Sequence, residues 1–218
     1  MDKTTNGWIH GFIGVAIFAG SLPATRVAVA DLDPTFLTCA RASIAALLGL
    51  ALLLALRQPR PRRADLPALA LSALGVVVGF PLLTALALRH VTSAHSIVFL
   101  GLLPLCTAIF AVLRAGERPR PPFWLFSIAG AAFVAGHAAM SGAEASLKGD
   151  LLMLAAIVVC GLGYAEGARL SRTLGGWQVI SWALVLSLPV MLPAALLTLP
   201  AAPGRVGAPA WPMCRCSA

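Results

Sequence analysis

Arg26 and Arg41 interrupt apolar runs in which a charge is costly, as do His95 and Glu166 further along the chain. Ionisable residues within apolar spans are rare, and usually face a cavity or a partner. Arg26 closes the stretch "GSLPATR", residues 20–26, which also holds Ser21, Pro23 and Thr25. Pro23 removes one backbone hydrogen bond and crowds the preceding turn, and the hydroxyls of Ser21 and Thr25 can satisfy freed carbonyls. Such a break inside a membrane needs protein or water beside it, so "GSLPATR" is expected to face the bundle interior, either as a simple kink or as part of a ligand site. For Arg26 and Arg41 the chemistry is substrate binding; the structural alternative is snorkelling to headgroups or pairing with Asp31 or Asp33.

His95 lies between Ser93 and Ser96, and Pro104 breaks the same apolar segment further on. A histidine there can bind substrate or relay a proton; the alternative is an interhelical hydrogen bond. Glu166 in "GYAEGAR" suits proton coupling, because a carboxylate in a low dielectric can exchange a proton for substrate. The alternative is an i,i+3 pair with Arg169. Tyr164, the only tyrosine, adds a hydroxyl to the same region. Arg26, Arg41, Thr25, His95 and Tyr164 are thus candidate substrate-binding residues, Glu166 the candidate for proton coupling, and Pro23 and Pro104 candidate helix breaks. His137 stands alone and reads as structural; His10 and His90 read as interfacial.

The elements that position these residues follow from composition. Of the 218 residues 59% are hydrophobic and 11% charged, against about 25% charged in a typical soluble domain. Mean hydropathy is +0.89. Leu66–Leu88, Val91–Leu113 and Pro121–Gly142 carry no Asp, Glu, Lys or Arg, and about 20 apolar residues suffice for a membrane-crossing helix. The fold class expected is an all-α integral membrane protein of seven helices: Trp8–Ala30, Thr35–Leu56, Leu66–Leu88, Val91–Leu113, Pro121–Met140, Leu151–Leu170 and Trp177–Leu199. A β-barrel would show short alternating segments instead.

The net charge of +8 is explained by the positive-inside rule rather than by nucleic acid. Arg57, Arg60, Arg62 and Arg63 share one side with Arg114, Arg118, Arg120, Arg169, Arg172 and Lys3, leaving Arg89 and Lys148 on the other before the tail. The N-terminus is therefore expected in the cytoplasm, and the protein in a bacterial-type inner membrane. Lys3, the following apolar run and "AVA" before Asp31 imitate a cleavable signal peptide, but Asp2 offsets Lys3, and Pro23 and Arg26 interrupt the run. Cys39, Cys106 and Cys160 read as small core residues. Cys214 and Cys216, with no histidine nearby, make a weak metal site, and no metal or other cofactor is expected. Glycines at 75 and 79, and at 163 and 167, have the four-residue spacing of close helix packing. No Gly-x-Ser-x-Gly elbow, His-Glu-x-x-His or phosphate loop is present, so no enzyme is expected.

Residues 26–42 align without gaps on 169–185, pairing Arg26 with Arg169, Thr38 with Ser181 and Ala40 with Ala183. The first turn of this pair is acidic and the second basic, as an inverted repeat obeying the positive-inside rule requires. With "PATRVAVADLDPTFLTCARASIAALL", "HVTSAHSIVFLGLLPLCTAIFAVLRAGERP" and "GDLLMLAAIVVCGLGYAEGARL", the chain resembles the EamA family of the drug/metabolite transporter superfamily from about Gly11 to Leu199. The resemblance implies ten helices in two inverted five-helix repeats that move small metabolites, and an arginine matching Arg41 in the second helix. On that reading 8–142 is a first repeat, 149–200 the first two helices of a second, and 201–218 an aberrant tail. The expected function is secondary transport of small metabolites or drugs by alternating access. The rival is a truncated membrane fragment or subunit without transport of its own. Partners are a small-molecule substrate, the lipid bilayer and, where copies associate, a homo-oligomer; no nucleic acid is expected.

Overall fold

The computed structural model describes residues 3–140 and 146–199, apart from the side chains of residues 3, 4, 6, 134, 135 and 137–139. Lys3 and His137, as side chains, and the segment 200–218 with its two cysteines lie outside the described residues. Among the described residues all regular structure is helical. We number seven segments. The first, α1, runs as Lys3–Ala19 and Ser21–Asp31 about a break at Gly20; α2 is Pro34–Ala55. Then come α3 (Arg63–Ala87), α4 (Ser93–Leu100 and Leu103–Ala115), α5 (Pro121–Met140), α6 (Leu147–Leu174) and α7 (Gly176–Leu197). Six of these are long and apolar enough to cross a membrane, and α5 adds a shorter apolar stretch, Pro121–Phe133. The protein is an all-α membrane protein.

The helix ends differ from the sequence expectation where caps decide them. Thr92 accepts the His95 amide at 3.2 Å, so α4 starts at Ser93 rather than Val91. Ser146 accepts the Gly149 amide at 3.4 Å and starts α6 four residues early. At its other end α6 continues to Leu174, and only Gly175 separates it from α7; its φ of +93° is open to glycine without strain. Asp33 caps α2 through the Thr35 amide at 2.8 Å and the Phe36 amide at 3.2 Å, with Pro34 in the first turn.

Prolines shape three helices. Pro23 and Pro104 each follow a helix end by four residues, at Ala19 and Leu100. That spacing matches the carbonyl whose partner a proline removes. In α3 the segment Ala73–Gly79 is a π-helical turn, and Phe80 N–H bonds the Gly75 carbonyl. Pro81 follows at once, and a wider turn ahead of it relieves the contact of its ring with the Val77 carbonyl.

The centre of the bundle is α6, packed against α3, α4 and α7, with Met153, Ala156, Ile157 and Cys160 fully buried. Its contact with α3 runs through glycine. A Cβ on Gly75 would lie 2.6 Å from the Val159 carbonyl oxygen and 2.8 Å from Gly163 Cα. On the other side α2 packs along α7, joined by Cys39, Ala42, Ala183, Met191 and Ala195 in one buried cluster with Ala73 and Val77 of α3. The first half of α1 is exposed along its described length, while Leu22, Thr25 and Val29 of its second half are buried.

Two outcomes follow. Gly75→Ala forces backbone apart and should cost about 1–3 kcal/mol, read as a lower melting temperature in detergent. Gly130→Ala, with nothing within 4 Å of the added Cβ, should leave it unchanged. At Asp33, slight burial opposes ionisation, but the Phe36 and Thr35 amides, the Thr35 hydroxyl and Arg89 hold the carboxyl below its ordinary value. The folded value lies below the unfolded one, so the cap contributes fully above about pH 4 and is lost as the pH falls through the folded value. Asp33→Ala should therefore cost about 1 kcal/mol at neutral pH, and melting curves of the variant and parent should converge below about pH 2.

Candidate functional site

Polar side chains in an apolar bundle must find partners or water, and each candidate residue can be followed to what it meets. Thr25 is buried because α1 turns one face of its second half inward; its hydroxyl donates to the Ser21 carbonyl at 2.7 Å. Arg41 Nη1 donates to the same Thr25 oxygen at 3.2 Å. The structure thus brings Thr25 and Arg41 together across α1 and α2. Asp33, one of the carboxylates considered for Arg41, instead lies 3.9 Å from Arg89. Arg26 is half-buried, and among the described residues it has no hydrogen bond or ion pair. Pro23 and Pro104 are exposed. Of "GSLPATR", Leu22 and Thr25 turn inward, while Pro23 and Ala24 turn out.

Beside Arg41 is a cavity of about 190 Å³ between α2, α3 and α7. Thr38 and Arg41 are its polar lining from α2, Val76, Val77 and Pro81 come from α3, and Ile180 from α7. Arg41 is exposed at the wall of this space, and its planar guanidinium suits an anionic or hydrogen-bond-accepting group. A second cavity of about 600 Å³ lies between α3, α6 and α7 and reaches Thr107 of α4. Its polar lining is hydroxyl: Ser72, Thr107, Tyr164 and Ser171. Tyr164 therefore belongs to a different cavity from Arg41. It also points away from Glu166, since positions two apart on a helix do not share a face.

His95 is 5% exposed, and its Nε2 lies 2.8 Å from Asp150 Oδ1 across α4 and α6. The pairing fixes the ring, which also stacks at a tilt on Phe99 with centroids 5.4 Å apart. Glu166 is fully buried. Arg114 Nε donates to its Oε1 at 2.6 Å, and Arg169 Nη2 lies 2.9 Å from Oε2, near enough for an ion pair but off the hydrogen-bond direction. The i,i+3 partner Arg169 was legible in the sequence. Arg114 and Asp150 were not, because 52 and 55 residues separate them from their partners. Arg172 of α6 pairs in turn with Glu117, two residues past the end of α4.

These contacts differ in what their loss costs. Arg114→Ala leaves a buried carboxylate with only the misaligned Arg169, and should destabilise by roughly 1–3 kcal/mol. Arg172→Ala breaks an exposed pair and should cost less than about 1 kcal/mol. Thermal unfolding of both variants in detergent checks the order.

Residues 5–137 match the EamA-like transporter family. The chain is also 66% identical over 210 residues to YdeK, described as an uncharacterized transporter of Bacillus subtilis (strain 168), covering 96% of this chain and 73% of that protein. No solved structure matches the chain. A helical membrane bundle, a family match over more than half the chain and a close transporter relative lead to one conclusion: the chain belongs to the EamA-like transporter family and is a membrane transporter.

Proposed function

We propose that the protein is a secondary transporter of small metabolites in a bacterial-type inner membrane, working by alternating access, with the Arg41 cavity as its substrate site. The observation that carries this reading is the placement of Arg41. Its charge faces a cavity where three helices meet, and its described hydrogen bond is to a neutral hydroxyl, that of Thr25. Its charge is thereby left for a ligand. Thr38 adds a second polar group at the wall, and Arg26, half-buried one residue after Thr25, is available at the same end of the bundle.

The inverted-repeat reading supports the mechanism. If 8–142 is the first repeat and 149–200 the start of the second, α2 and α7 are equivalent helices, and they pack along one another. Transporters built this way bind near the midplane between repeats. The arginine-rich ends of α2, α4 and α6 then face the cytoplasm, together with the N-terminus. His95, tied to Asp150 near the opposite end, positions α4 against α6. Glu166 is the candidate coupling group: the carboxylate is fully buried while its two arginines are about half exposed, so the group lies one side chain away from the surface.

The test is uptake and efflux of a metabolite panel in cells expressing the chain. Arg41→Ala should reduce transport at least tenfold at unchanged membrane level, and Arg41→Lys should keep part of it. Full activity of Arg41→Ala removes this site. Glu166→Gln with normal insertion should lose the dependence of transport on a proton gradient; retention of that dependence removes the coupling role. A second reading, a subunit that transports only beside another chain, draws on the exposed first half of α1. It predicts activity only on co-expression with a partner.

A further inference from the structure

The Arg41 cavity and the hydroxyl-lined cavity share two wall residues, Val76 and Ile180. Both are apolar, and they come from different helices. Val76 sits in the π turn of α3 and Ile180 in the second turn of α7. Each has a chain neighbour locked into a core: Val77 in the cluster of α2, α3 and α7, and Val179 in the cluster with Ala68, Leu69 and Leu170. The backbones are held, while the side chains are only partly covered: Val76 is half-buried with its Cγ2 turned to Gly163, and Ile180 is 39% exposed.

Polarity changes on either side of this pair. Thr38 and Arg41 line one cavity, and Ser72, Thr107, Tyr164 and Ser171 the other. The wall residues common to both are two aliphatic side chains. A short apolar constriction between wetted spaces expels water, and so bars hydrated solutes without needing a solid plug. The π turn supplies a way to move one of the two. A segment of seven residues with one widened turn re-aims its side chains when it returns to regular α geometry, and such turns recur at functional sites. Gly75 and Gly79 hold the rest of the turn on Val159 and Gly163.

We infer that Val76 and Ile180 form an apolar gate between two subsites of one pathway, a charged-group subsite at Arg41 and a hydroxyl subsite at Ser72, Thr107 and Tyr164. The inference rests on the transporter reading above, and assigns the second cavity a substrate with a neutral, hydrogen-bonding portion as well as an anionic or accepting one. Val76 and Ile180 are positioning residues: they decide which subsite is connected to which face.

The labelling test needs no identified substrate. Ala45, lining the Arg41 cavity, and Ala168, lining the hydroxyl cavity, are replaced singly by cysteine in the full chain after its own five cysteines are changed to serine or alanine. An anionic, membrane-impermeant methanethiosulfonate is applied to right-side-out and to inverted vesicles. Ala45→Cys should label from one face and Ala168→Cys from the other. Adding Val76→Ala with Ile180→Ala should raise far-face labelling of both at least tenfold, with near-face labelling unchanged as the control for folding. Labelling of both cysteines from the same face without the gate changes, or far-face labelling unmoved by them, overturns the gate. Should the double variant not insert, Ile180→Trp replaces it: narrowing the constriction should cut transport tenfold or more at unchanged near-face labelling, and full transport overturns the gate. Labelling does not depend on Arg41, so an active Arg41→Ala with the labelling pattern intact would sink the substrate site and leave the gate standing.

Discussion

The contact of α3 on α6 at Gly75 and Gly163 is the constraint from which the rest of the bundle follows. Apolar surface gains little by leaving lipid for another helix, so association in a membrane relies on close packing. Here backbone meets backbone: no Cβ fits on either glycine without displacing main-chain atoms or a valine. With α3 held on one side of α6, α4 takes another, and α7 follows α6 after the single residue Gly175. The cavities are what remains between α3 and α7, and the π turn of α3 lies where both are lined.

Charge placement obeys the same economy. Water is scarce inside the bundle, so a polar group is tolerated when another helix answers it. Glu166 is answered by Arg114 from α4, and His95 by Asp150 from α6. Both pairs join the same two helices, one near each end. A helix pair tied at both ends is poorly suited to open at either, so α4 and α6 are better read as a block than as a gate. Arg41 breaks the pattern, since Thr25 answers it with a neutral hydroxyl where Glu166 meets two guanidinium groups and His95 a carboxylate. That difference, more than the presence of an arginine in a span, is why Arg41 rather than Glu166 or His95 is proposed as the ligand site.

The seven helices were legible in the sequence because a run of about 20 apolar residues has few other uses. Their ends were less so. Periodicity says nothing of whether Thr92 or Ser146 will accept an amide, and each moved a boundary by a few residues. The π turn left no clear signal beyond glycines at 75 and 79 and a proline at 81, which also suit ordinary close packing. For the candidate site, the sequence offers the residues but not the company they keep. Arg169 could be placed beside Glu166 by helical spacing, but nothing local points from Glu166 to Arg114 or from His95 to Asp150. Tyr164 and Glu166, near in sequence, were separated by helix geometry; Thr25 and Arg41, sixteen residues apart, were joined by a hairpin.

"GSLPATR" serves the structure and, on the proposed reading, the site as well. Pro23 breaks α1 at Gly20 and itself faces outward, so the proline is not a ligand contact. Its effect is on direction: the second half of α1 sets off along a new line that presses Leu22, Thr25 and Val29 against α3 and neighbouring helices. Thr25 then donates its own proton to the Ser21 carbonyl, which leaves its oxygen free to accept from Arg41. A hydroxyl used in both directions fixes the guanidinium without neutralising it. Replacing Thr25 by an acid would hold Arg41 as firmly and cancel its charge, and replacing it by alanine would release the side chain while keeping the charge. A site that must both orient a cation and leave it available to a ligand is met by a threonine, and the break at Gly20 is what delivers that threonine to α2.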